Sequence, residues 1–259
     1  MSPRPWLAFV ALCRRDLHVF LRVEPLDFIA QALLSPVFLL LVFGRVLPAV
    51  GAADGDYSAD LLPGVLAITL VMTALQGAAT PLISELAVTR DLDDRLLSPI
   101  PVWGVAVQKL VVASVRGCVA AAAVLPAAAL ILPGGLQAAA IAPAGLVAVM
   151  ACGALTGAAL GLVMGTVVPA QRITLVFATV LTPLMFSGAT FVSYSSLDAL
   201  PWFQAVALAN PVTYVSEAVR AVTTTGPHLG TGPIVLGLAA SIAIFGAWGL
   251  RGFQRRAIC

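Results

Sequence analysis

An all-α integral membrane fold is what this sequence predicts: six transmembrane helices, an amphipathic interface helix at the N-terminus, re-entrant external helices before the last span, and both termini cytoplasmic. Three observations carry that expectation. Hydrophobic residues make up 60% of the 259 and charged residues only 10%, against roughly 25% charged in a soluble domain. Apolar runs of about 20 residues recur along the chain, each long enough to cross a hydrocarbon core roughly 30 Å thick. The basic residues, finally, concentrate on alternate connections between those runs.

The first element, residues 1–26, reads as a helix lying in the membrane interface. At 100° per residue, Trp6, Phe9, Val10, Cys13, Leu17, Phe20 and Leu21 share one face, while Arg4, Arg15, His18 and Arg22 gather opposite. The stretch lacks an unbroken apolar segment followed by a small-residue cleavage site, so it does not read as a cleavable signal peptide. Glu24-Pro25 and Asp27 end the helix and lead into a single transmembrane domain, 27–259.

Six spans are expected at about 28–48, 61–84, 106–132, 138–168, 173–193 and 231–250. Arg4, Arg14, Arg15, Arg22, Arg90, Arg95, Lys109, Arg116, Arg172, Arg251, Arg255 and Arg256 fall on one side, leaving Arg45 and Arg220 for the other. The positive-inside rule then places both termini in the cytoplasm of a multi-pass protein of the inner (cytoplasmic) membrane. The first external loop, with Asp54, Asp56 and Asp60, is acidic as that orientation requires. Basic usage, with Lys109 the sole lysine, fits a GC-rich bacterial genome.

Two connections are more than loops. Residues 194–230 lie outside in this topology yet keep Leu200, Trp202, Phe203, Val206 and Leu208, so they are expected to fold as short helices dipping toward the bilayer. Just before this region Pro183 interrupts the fifth span's hydrogen-bond ladder and Ser187-Gly188 permits a bend. Asn210 can cap a helix begun by Pro211, and Glu217 and Arg220, three apart, can pair at its rim. The segment reads either as an external gate or as a passive lid. On the cytoplasmic side, residues 85–109 carry Arg90, Asp91, Asp93, Asp94 and Arg95 among the apolar Leu92, Leu96 and Leu97. That mixture suits docking into a groove of a cytosolic partner, or a solvated loop that only fixes orientation.

The fourth span carries Gly153, Gly157, Gly161 and Gly165, one turn apart, a helix-packing face that lets another helix approach closely. Chemistry is otherwise sparse. Lys109 stands outside any GxxxxGK[ST] pattern, so the chain is not expected to bind ATP by a P-loop. No GxSxG elbow occurs, the topology separates His18 from His228, and Cys13, Cys118, Cys152 and Cys259 have no metal spacing and read as buried thiols. No acidic residue lies inside a span, with Glu85 at the rim of the second and Arg116 able to snorkel from the third. Ion-coupled carriers place acids there, so the energy for any transport is expected to come from another chain. Net charge of +2 points away from nucleic acid.

The stretch Asp93-Asp94-Arg95-Leu96-Leu97-Ser98-Pro99-Ile100-Pro101, with Gln108-Lys109-Leu110 following, is similar to the "L…sP…GK" stretch of ABC-2-type transporter permeases. Leu181-Thr182-Pro183-Leu184-Met185-Phe186-Ser187-Gly188-Ala189-Thr190-Phe191, then Leu200-Pro201-Trp202, Asn210-Pro211-Val212-Thr213-Tyr214 and Glu217-Ala218-Val219-Arg220, resembles the TP…SG…LP-W…NP-x-T…E-A-x-R run of the daunorubicin-exporter and nodulation-factor-exporter permeases. The chain departs from that pattern at Val192-Ser193, where relatives usually have a proline, and at Gln108, which replaces a glycine.

The resemblance implies the permease subunit of an ATP-binding-cassette exporter, not itself an enzyme, moving an amphiphilic substrate outward: a hydrophobic drug, a lipid or a lipid-linked glycan. It implies a homodimer in membrane lipid, joined to a cytosolic ATP-binding subunit that holds the ATP and Mg. Arg90, Asp91, Asp93, Asp94, Arg95, Leu96 and Leu97 would belong to its ATPase-coupling helix, and Pro183, Ser187, Gly188, Trp202, Asn210, Pro211, Glu217 and Arg220 to its external gate. A secondary transporter, a non-transporting assembly protein and an intramembrane hydrolase are the rival readings.

Overall fold

The computed structural model describes residues 5–23, 25–51, 57–85, 101–132 and 143–258, and every regular element among them is helical. α1 is Pro5–His18, continued by a π-helical turn, Val19–Val23; α2 is Pro25–Leu41, continued by a second such turn, Val42–Val46. α3 is Tyr57–Ser84, α4 is Val102–Ile131, α5 is Pro143–Val167 and α6 is Ile173–Phe186. Two short helices, α7 (Pro201–Ala209) and α8 (Pro211–Thr223), precede the long α9, Thr231–Ile258.

Five of these are long and apolar enough to cross a membrane: Phe28–Ala49, Leu61–Ser84, Val102–Ile131, Pro143–Val167 and Thr231–Arg256. The bundle is organised around α3, whose span is 83% buried, against 22% for those of α2 and α9. Small residues put it there. Ala67, Ala74, Ala78 and Ala79 of α3 are fully covered, and glycines on both flanking helices press against them. A Cβ at Gly117 of α4 would sit 2.9 Å from Ala74 Cβ, and one at Gly157 of α5 would sit 2.5 Å from the Val71 carbonyl oxygen. In lipid, where tails are as apolar as leucine, such close backbone approach supplies the dispersion that holds helices together.

All four glycines of the α5 stripe meet α3: Gly153 against Leu70, Gly157 against Val71, Gly161 against Leu75 and Gly165 against Leu82. The same device recurs where the expected external segment enters the bundle. Gly64 of α3 abuts the Thr190 backbone, and Gly237 of α9 abuts the Tyr214 ring of α8.

The fifth expected span differs from its reading. It was placed at 173–193, but the helical stretch Ala170–Phe186 is only 17 residues long, roughly 26 Å at 1.5 Å per residue. Pro183 does not end it: the helix runs one further turn, and the Pro183 carbonyl accepts the backbone N–H of Ser187 at 2.9 Å and its Oγ at 2.7 Å. The chain turns at Gly188 and Ala189, the latter held at φ 48°, a left-handed conformation that costs a residue with a Cβ about 1 kcal/mol or more.

The N-terminal helix divides its apolar face. Phe9 packs on the core and Phe20 is buried, while Trp6, Val10 and Leu21 stay exposed on the surface.

Candidate functional site

Between α1, α2, α3, α4 and α6 lies a cavity of about 760 Å³. One wall is a stripe of α3: Thr69, Thr73, Gln76, Thr80 and Ser84 recur every three or four residues, so the helix turns them all to one side. Gln31 and Ser35 of α2 face them across the space, and Phe28, Leu39, Met72, Leu181 and Met185 make the apolar part of the lining. Thr69 and Ser84 bond back to their own helix, to the carbonyls of Val65 at 2.8 Å and Pro81 at 2.9 Å. Gln31, Ser35, Thr73, Gln76 and Thr80 make no side-chain hydrogen bond among the described residues. Amides and hydroxyls without partners cost roughly 2–7 kcal/mol each in hydrocarbon, so this wall suits water or a polar solute rather than lipid tails.

Charged side chains close one end of the cavity. Lys109 of α4 is buried and donates from Nζ to Glu85 Oε1, with Asp16 Oδ2 at 3.6 Å. Gln108 donates to the same Asp16 oxygen at 2.9 Å. Lys109 was counted with the second connection, but α4 begins at Val102 and carries it in as part of the helix. Glu85 stands at the end of the second span, as its rim reading has it, and is buried there. Arg116, read as able to snorkel toward the cytoplasmic end of the third span, lies over two rings, 5.0 Å from the Phe20 centroid and 5.7 Å from that of Phe28. Each contact contributes about 0.5–2 kcal/mol where water is scarce.

Away from this cavity, near the start of α3 where Gly64 meets Thr190, α8 inserts its polar face among the spans. Glu217 and Arg220, read from the sequence as a rim pair, are both fully buried, with Arg220 Nε 3.3 Å from Glu217 Oε1. The reason is that α8 packs against α3, α5 and α9 on several sides at once. Glu217 satisfies its remaining capacity from two loops, accepting the N–H of Tyr194 at 3.0 Å and of Leu229 at 2.6 Å. Arg220 reaches the Ala189 carbonyl at 3.5 Å, and Ser216 donates to the Gly188 carbonyl at 2.9 Å. Asn210 caps α8 by accepting the Val212 N–H at 2.9 Å and donates to the Leu184 carbonyl at 2.7 Å. The carboxylate of Glu217 thus ties the turn after α6, α8 and the segment before α9 into one knot.

Of the residues expected to form the gate, Pro183, Ser187, Gly188, Asn210, Pro211, Glu217 and Arg220 converge on this knot, Asn210 touching Ser187 Oγ at 3.0 Å. Trp202 stands apart, exposed on α7 against Phe203. Arg90, Asp91, Asp93, Asp94, Arg95, Leu96 and Leu97 lie outside the described residues. Cys152 is exposed and Cys13 and Cys118 are half-buried, so these thiols are not the core residues expected of them. Burial first, and the charge of Asp16 second, push the Cys13 thiol up from its ordinary range. No group of three metal-ligating side chains occurs among the described residues.

A search of the sequence for acids inside spans passes over the cavity's polar stripe, since threonine and glutamine are uncharged. The signal was nonetheless there, in the three- and four-residue spacing of Thr69, Thr73, Gln76 and Thr80. A family model described as ABC-2 type transporter matches residues 7–223. No curated protein matches the chain.

Proposed function

The chain belongs to the ABC-2 type transporter family, a multi-pass membrane transport component, and from that premise we propose that it is the permease subunit of an ATP-driven exporter of amphiphiles. The observation that carries the reading is the cavity, with a hydrogen-bonding wall on α3 and α2 and apolar side chains from α2, α3 and α6. A molecule with a polar head and an apolar body matches such a lining on both counts. The charged end of the cavity is the cytoplasmic one in this reading, the knot around Glu217 is the outer gate, and residues 85–109 dock a separate ATP-binding subunit. A second copy of the chain is the expected partner in the membrane. Support comes from α6, which has no buried residue and exposes Leu175, Val180 and Phe186.

The test is reconstitution. The chain is purified together with its ATP-binding subunit, placed in liposomes, and supplied with a fluorescent short-chain phospholipid or a lipophilic dye. ATP should drive the reporter across the bilayer. Leu96→Asp, which sets a charge in the expected docking surface, should abolish reporter-stimulated hydrolysis while the chain still inserts. Thr73→Val with Gln76→Leu should weaken reporter movement by about thirtyfold, in proportion to two lost hydrogen bonds of about 1 kcal/mol each. Movement driven by a proton gradient without ATP would instead establish a secondary carrier.

A further inference from the structure

We propose that Lys109 is a positioning residue: a buried joint that binds the N-terminal helix to both chain ends of the ATPase-docking segment, directly beneath the substrate cavity. The inference rests on the exporter reading above and adds the route by which a push on that segment reaches the cavity. Three elements meet at one ammonium group. Asp16 comes from α1, Glu85 follows the last turn of α3, and Lys109 belongs to α4. Lys109 is 5% exposed and Glu85 9%, and Gln108 secures Asp16 from the side.

In sequence, Glu85 stands immediately before residues 86–100 and Lys109 in the helix that follows them. The pair therefore clamps together the two strands of chain by which that segment is attached. Asp16, Glu85 and Lys109 also line the cavity.

The physics of burial makes this cluster behave as a unit. An ammonium ion stripped of water loses several kcal/mol of hydration, which its carboxylates repay only while they stay in contact. Displacing Glu85 without Lys109 would break the shortest contact of this buried cluster in a low dielectric, so the ends of α3 and α4 move together. The ammonium carries three donors on a flexible stem, so it can keep Asp16 while it moves and draw α1 along with it. The aromatic contacts of Arg116 extend the linkage, because Phe20 follows α1 and Phe28 begins the α2 span.

The experiment uses the whole complex with its ATPase in liposomes and measures fluorescent phospholipid moved per ATP hydrolysed. Lys109→Met should lower that ratio by about tenfold, within the range found for coupling between sites. Lys109→Arg, which keeps the cation between Asp16 and Glu85, should restore most of it. A purely structural lysine would lower the amount of complex and leave the ratio intact. Should Lys109→Met fail to assemble, Asp16→Asn and Glu85→Gln keep the shape of the cluster, and each should lower the ratio in part. A wild-type ratio in Lys109→Met, or in both isosteric variants, overturns the joint. A wild-type complex that moves no reporter with ATP overturns the exporter reading itself and the joint with it.

Discussion

Glu217 shows how far a residue's surroundings change its energetics. Three positions before Arg220 on an exposed helix, it would contribute a few tenths of a kcal/mol. Here both side chains have no exposure, and removing one member of a buried ion pair costs about 3–5 kcal/mol. Glu217→Ala should therefore sharply lower the unfolding temperature of the detergent-solubilised protein. Glu217→Gln combined with Arg220→Met should lose much less, since no buried charge remains. A Glu217→Ala protein that melts with the wild type would mean that water reaches the pair. The arrangement also explains how Ala189 is held at φ 48°, because Arg220 donates to its carbonyl oxygen and Ser216 to that of Gly188 before it.

Among the elements, α3 and α5 depend most on what they lack. At the middle of their shared surface Gly157 and Gly161 press on the carbonyl oxygens of Val71 and Leu75, and a carbonyl oxygen cannot rotate aside as a side chain can. Gly157→Leu should force the two helices apart and cost at least the 1–3 kcal/mol typical of overpacking, read as reduced yield and a lower unfolding temperature. Gly246→Leu on α9 is the control, since a Cβ there meets nothing within 4 Å. Equal losses in both variants would show that added bulk alone is harmful, wherever it is placed. α8 illustrates the converse, a short helix whose serine, threonine, glutamate and arginine all find partners inside the bundle.

For the whole molecule, the open matter is which end faces which compartment. Twelve of the 14 basic residues fall on one side in the topology read from the sequence, so that side is expected to be cytoplasmic. In a variant without native cysteines, cysteine in place of Asp56 or Gly230 should react with an impermeant maleimide in intact cells. Cysteine in place of Asp93 or Arg255 should react only after lysis. Labelling at Asp93 from outside would reverse the orientation, and with it the assignment of the charged cluster to the ATPase side.

Hydropathy runs place the spans because a hydrocarbon core imposes one length and one polarity on whatever crosses it. Phe28–Ala49 and Leu61–Ser84 accordingly fall within a residue of their expected limits. Local rules of the same kind made the α5 glycine stripe and the Asn210 cap readable, since each depends on neighbours one turn away or less. The interior could not be read that way. Whether Lys109 lies in a loop or under a cavity depends on Asp16 and Glu85, which come from other helices. Whether Glu217 meets water or Leu229 depends on four elements arriving together. A membrane sets the pattern of each helix independently, but the partner of a buried charge is chosen only when the helices pack.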